Sequence, residues 1–97
     1  MIKHIVTFKL KGSESERKEA SGRFRDALLA LPAEIPQLVS MEVGINCNPQ
    51  EHWDIVLTAV VKTMEDLDIY ARHPLHIAAA SIIKDLKDDR ACVDYEF

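Results

Sequence analysis

Trp53-Asp54-Ile55-Val56-Leu57-Thr58-Ala59-Val60-Val61-Lys62 decides how this chain folds. Read at period two, Ile55, Leu57, Ala59 and Val61 share one face, and Val56 and Val60 flank Thr58 on the other. The β-branched content suits extended backbone, and no helical period fits the run. A strand that is apolar on both faces has to be covered on both faces. A chain of 97 residues makes one domain, spanning 1–97. Its own helices can cover one side of a sheet. The other side is expected to meet a second copy, giving a homodimer joined through the sheet face.

Outward from that strand, the remaining elements follow from their punctuation. In Ile2–Leu10, His4, Val6, Phe8 and Leu10 alternate with Ile5, Thr7 and Lys9, which predicts a strand closed by Gly12. Ser13-Glu14-Ser15-Glu16 has the form of a capping box and opens a helix. Its apolar stripe is Ala20, Phe24, Ala27, Leu28 and Leu31, and Pro32 stops it. Residues 37–46 predict a second strand with Val39, Met41, Val43 and Ile45 on one face; Gly44 marks a bulge or a close backbone approach. Asn46–Glu51 is rich in turn residues.

Beyond the opening strand, Thr63 caps a short helix with the stripe Met64, Leu67 and Tyr70/Ala71. His73 precedes Pro74 and is therefore biased away from α, so this helix ends there and a new one starts with Pro74 near its first position. That helix is expected to run to about Asp88, with His76, Ala79, Ala80 and Ile83 on one side and a solvated end at Lys84–Arg90. Residues 91–97 predict the last strand. The order is α+β, ferredoxin-like βαββαβ: a four-stranded antiparallel sheet with helices on one face.

Hydrophobic residues make up 47% and charged residues 29%, with a net charge of −4. Nucleic acid is not expected as a partner, because phosphate binding needs clustered Lys and Arg, and Glu19 and Asp26 flank the Arg23-Phe24-Arg25 run. No apolar run approaches the ~20 residues of a membrane span. No apolar leader follows Met1, so a cytoplasmic protein is expected. Cys47 and Cys92 lack any paired spacing and read as small buried hydrophobes.

Chemistry near neutral pH needs groups that titrate there, which directs attention to the histidines. Two of the four fall within Tyr70-Ala71-Arg72-His73-Pro74-Leu75-His76, and His4 interrupts an apolar strand face. His76, on the stripe of Ala79, Ala80 and Ile83, is expected to point toward the sheet, with Tyr70 and His4 on the same interior side. In that arrangement His76 and Tyr70 offer a base and a proton donor on one side of the sheet, with His4 beside them. Phe8 and Phe24 are expected on the same interior, as walls of a site for a small apolar ligand or as its filling. His73 serves as a cap beside Pro74 or as a further binding residue. His73 and His76 alone do not make a zinc site. Asp54 and Asp94 read as isolated surface or interface carboxylates, and His52 as solvated. No glycine-rich phosphate loop and no nucleophile elbow occur, so no metal and no cofactor are expected.

Ile2-Lys3-His4-Ile5-Val6, Gly44-x-Asn46, Tyr70-x-x-His73-Pro74-x-His76 and Val93-Asp94-Tyr95 together resemble the stress-responsive A/B barrel domain family (Dabb) over nearly the whole chain. The resemblance implies a dimeric α+β barrel. Most members of that family lack an assigned activity, and some plant members are stress-induced and form stable oligomers. One member is a cyclase that closes a linear polyketide by aldol chemistry with a tyrosine and a histidine. Those two roles carry over onto Tyr70 and His76, and His4 and His73 match further histidines of the pattern; the resemblance thus implies that His76 removes a proton α to a carbonyl, that Tyr70 donates to the developing enolate and that His4 orients His76 or holds the carbonyl ligand. The resemblance implies either a small cofactor-free cyclase, isomerase or lyase, or a non-catalytic stress-linked domain that binds a small ligand or assembles.

Overall fold

The computed structural model describes residues 1–97. Its elements are β1 (Ile2–Leu10), α1 (Glu14–Leu29), a 3-10 turn (Leu31–Ala33), β2 (Ser40–Ile45), β3 (Ile55–Val61), α2 (Met64–Arg72), α3 (Pro74–Ser81) and β4 (Lys87–Glu96). The four strands form one antiparallel sheet in the order β2-β3-β1-β4. This is the ferredoxin-like topology, with the first and third strands in the middle.

Cross-strand register sorts the side chains into two faces. His4, Val6 and Phe8 of β1 lie opposite Ala59, Leu57 and Ile55 of β3 and opposite Asp94, Cys92 and Arg90 of β4. This is the helix-covered face, and its core joins Val6, Leu10, Ile55, Leu57, Ala59 and Val61 to Phe24 and Leu28 of α1, Tyr70 of α2 and Ile83. The other face carries Ile5, Thr58, Val56, Val60, Val93 and Tyr95. No element of the chain covers it: Val56, Tyr95 and Val93 are exposed. On that face a Cβ on Gly44 would stand 3.2 Å from Val56 Cγ1, so the glycine marks a close approach and no bulge.

The capping box at α1 forms in both directions: Glu16 N–H donates to Ser13 Oγ (3.1 Å) and Ser13 N–H donates to Glu16 Oε1 (3.2 Å). The helix ends at Leu29, short of the expected stop, because a proline ring at position 32 excludes a regular turn before it; Pro32 enters the 3-10 turn instead. The connector after it is not a passive link. Ile35 and Leu38 are fully buried, which leaves Val39 exposed rather than on the inner face of β2.

The largest departure from the sequence expectation lies after α3. The helix stops at Ser81, and bonds from Ile82, Ile83 and Lys84 N–H to Ala79, Ala80 and Ser81 carbonyls tighten the chain into successive turns. β4 begins at Lys87, drawn into the sheet by Leu10. Lys84–Arg90 is therefore a turn followed by strand, not a helix end. The register also slips between Lys9 and Leu10, which face Asp89 and Lys87, so Asp88 bulges out of the ladder.

Asp54 is a second correction. Its carboxylate accepts from Leu10 N–H (2.7 Å) and Lys9 Nζ (3.2 Å), with Arg17 Nε at 3.6 Å. It ties the start of β3 to the end of β1 and to α1, and its side chain is 19% exposed. Cys47 is exposed, contrary to the buried reading. No helix is long and apolar enough to cross a membrane.

Candidate active site

The break at Pro74 builds the site. Thr63 Oγ1 accepts from Asp66 N–H and starts α2, which ends at His73 in extended backbone. His73 then caps α3: its Nδ1 accepts from Leu75 N–H at 3.1 Å. The change of axis brings Tyr70, from the last full turn of α2, against His76, from the first turn of α3, with ring centroids 4.5 Å apart. A continuous helix would not stack these residues, six positions apart, in this way.

Tyr70, His76, His4, Phe8 and Phe24 all line one cavity of about 400 Å³ between the sheet and the helices. The structure thus brings together five of the six residues singled out from the sequence. His73 is the exception; it lies outside the cavity lining, and its ring nitrogen is engaged as a helix cap. The cavity is mainly apolar, with Val6, Leu57 and Ile83 among its walls, and it is within the size range of small-ligand sites.

His76 Nδ1 is 3.0 Å from the Ala71 carbonyl oxygen. A carbonyl only accepts, so Nδ1 carries the proton and donates it, which leaves the Nε2 lone pair unengaged. Burial lowers the His76 pKa below the ordinary histidine value, outweighing the Ala71 hydrogen bond, and the charges of His4 and Arg90 lower it further. The ring is therefore a neutral base at pH 7. Tyr70 is fully buried, and its hydroxyl has no hydrogen-bond partner. Burial raises its pKa, so the phenol stays protonated as a free donor.

His4 stands edge-on to Tyr70 at 6.3 Å between centroids. Its Nδ1 is 2.5 Å from Asp94 Oδ1. Asp94 is thus the partner of His4, not an isolated carboxylate; the cross-strand pairing of His4 with Asp94 puts them side by side. Cys92, two residues away on the same face, places Sγ 3.5 Å from His4 Nδ1 and 3.6 Å from Asp94 Oδ1, and it is half-buried here rather than part of the core. Burial raises its thiol pKa, and the Asp94 charge adds to this. Sequence reasoning missed Asp94, Lys87 and Arg90. Knowing that His4 faces the helices and that β1 pairs with β4 would have found Asp94, through the His4–Asp94 register.

Solved structures of similar chains have this fold. A dimeric protein of unknown function from Bacteroides fragilis is 44% identical with a TM-score of 0.96, over 99% of this chain and 95% of that one. A dimeric ferredoxin-like protein from Thermobifida fusca is 26% identical with a TM-score of 0.80, over 99% of this chain and 90% of that one. A hydroxynitrile lyase from Passiflora edulis shares the fold at 13% identity and a TM-score of 0.70, over 97% and 90% of the two chains. No curated protein matches the sequence. Residues 2–97 match the stress responsive A/B barrel domain, and the chain belongs to that family, Dabb.

Proposed function

We propose that this chain is a small cofactor-free enzyme of cyclase, isomerase or lyase type that acts on an enolisable carbonyl compound. The observation that carries the reading is the meeting, over one cavity, of an unpartnered buried hydroxyl and a neutral histidine with a free nitrogen. A buried polar group without a partner is disfavoured by roughly 1–3 kcal/mol, so its retention calls for a reason. A ligand oxygen accepting from Tyr70 supplies one.

In this reading His76 Nε2 removes the proton α to the carbonyl, and Tyr70 donates to the oxygen on which the enolate charge develops. The His4 ring, held by Asp94, contacts the ligand or fixes the tyrosine edge. The enolate carbon then attacks an internal carbonyl, or the enolate takes the proton back from His76 at a different carbon, or it expels a leaving group by breaking its bond to the β-carbon. The three outcomes share this first step. Phe8 and Phe24 form the apolar wall against which the carbon skeleton rests.

The enzyme works as a homodimer joined through the open sheet face. That face is apolar at Ile5, Val56, Val60, Val93 and Tyr95, and similar chains are dimeric. The test of the catalytic reading is deuterium exchange at the α-carbon of a panel of oxo compounds in D₂O, followed by NMR. Exchange above background that is lost in His76→Ala supports it. Compounds that perturb the His76 ring signals without exchanging would assign the cavity to ligand binding alone, as a non-catalytic stress-linked domain.

A further inference from the structure

The bulge at Asp88 has a consequence for the cavity. In a regular strand Lys87 and Arg90, three positions apart, point to opposite faces. Here Arg90 lies opposite Phe8, whereas Lys87 lies opposite Leu10, and Phe8 and Leu10 share the inner face of β1. The unpaired Asp88 thus re-aims Lys87, and both cations end on the cavity side. Neither forms an ion pair. The cavity's carboxylate, Asp68, is taken by Arg72 at 3.1 Å, and the Asp94 carboxylate by His4. In a chain with net charge −4, one end of an apolar cavity therefore holds two positive charges with no acid partner.

We infer that Lys87 and Arg90 form an anion-binding end of this cavity, so that the ligand is a small apolar oxo compound ending in an anionic group. The inference rests on the proposed carbonyl chemistry and narrows its substrate class. Arg90 and His76 line the same cavity, and the Arg90 charge helps to lower the His76 pKa. An anion held there keeps the adjacent carbonyl carbons within reach of His76, while the chain extends toward Phe8, Phe24 and Leu57. A planar fork and a point charge together suit a carboxylate or a phosphate.

The test compares three probes, 2-oxooctanoate, its methyl ester and octyl phosphate, by the concentration dependence of the His76 ring signals. Both anions should bind at least about 10-fold more tightly than the ester, as expected for charge-assisted hydrogen bonds. That ratio should fall toward one in the Lys87→Gln, Arg90→Gln double variant, and it should shrink with added salt. Both side chains are exposed, so the variant should fold. Arg90→Lys should restore part of the preference. Tighter octyl phosphate than oxo acid would identify the anion as a phosphate; the reverse would identify a carboxylate. Equal binding of acid and ester, with deuterium exchange intact, overturns the anion site alone. No exchange and no His76 response with any probe overturns this inference and the carbonyl reading together.

Discussion

His76 Nδ1 donates to the carbonyl oxygen of Ala71 at 3.0 Å, across the break that Pro74 makes between two helices. The bond fixes the tautomer and aims the basic nitrogen, so the helix break orients the base as well as positioning it. The expected pH dependence follows. Folding lowers the His76 pKa below about 6.5, so exchange should be flat at neutral pH and fall tenfold per unit on the acid side of the lowered pKa. Stability changes in the same sense. The unfolded histidine takes its proton at higher pH than the folded one, so stability is lost as pH drops below about 6.5. Arg90→Gln removes one charge that depresses the histidine and should move the acid limb to higher pH. A pH–rate profile checks both; a limb that stays in place would show that another group controls it.

Tyr70→Phe separates function from stability. The hydroxyl is buried with no partner, so deleting it removes a desolvated group and leaves no unpaired one behind. Thermal stability should hold or rise, by up to about 1 kcal/mol, or roughly 4–8 °C in a domain of this size. α-Proton exchange should fall about 10²–10³-fold through loss of the donor to the enolate. Calorimetry and exchange on the same sample decide it. A fall in melting temperature would mean that the hydroxyl has a structural partner in solution.

Much of this architecture can be read from the sequence because it rests on local rules. The Ser13 box, the Thr63 cap and the His73-Pro74 break each act over a few residues, and each forms where expected. The two apolar faces of β3 likewise gave the uncovered sheet face. What escaped depends on pairing between distant strands. Asp94 becomes a partner of His4 only once β1 and β4 are in register, ninety residues apart in sequence. Lys87 and Arg90 looked like a solvated helix end, since Ile83, Leu86 and Lys87 continue a helical stripe. The competing term is the β1 ladder, which extends to Leu10 and draws Lys87–Arg90 into strand. Asp54 was misread for the same reason: its partners, Leu10, Lys9 and Arg17, come from two other elements.

Asp54→Ala tests the structural role of that carboxylate. The substitution leaves Leu10 N–H without its acceptor and separates Lys9 and Arg17 from their common anion. The pairs themselves are partly solvated and worth little, whereas the amide beside the fully buried Leu10 is costly to leave unpaired. A loss of about 1–3 kcal/mol is expected in urea unfolding. Asp54→Asn, which keeps one acceptor oxygen, should recover most of it. An unchanged midpoint in Asp54→Ala would mean that water replaces the carboxylate at no cost.

Val93→Asp tests the dimer. Val93 lies on the open sheet face opposite Ile5 and is 64% exposed in the single chain. Along the same face run Val56, Val60 and Tyr95, so a partner sheet packed there would bury the new carboxylate with no cation assured opposite it. Burying an unpaired charge costs several kcal/mol, enough to weaken association by about 10²-fold or more. Within the monomer the same side chain points to water, so secondary structure should survive. Sedimentation should therefore show a dimer for the unsubstituted chain and a folded monomer for the variant. The cavity lies on the opposite, helix-covered face, between β1, β4 and the paired helices α2 and α3. The monomer should then keep the His76 response to ligand if the site is complete in one chain. A variant that remains dimeric would place the interface elsewhere, on the strand edges or the helices.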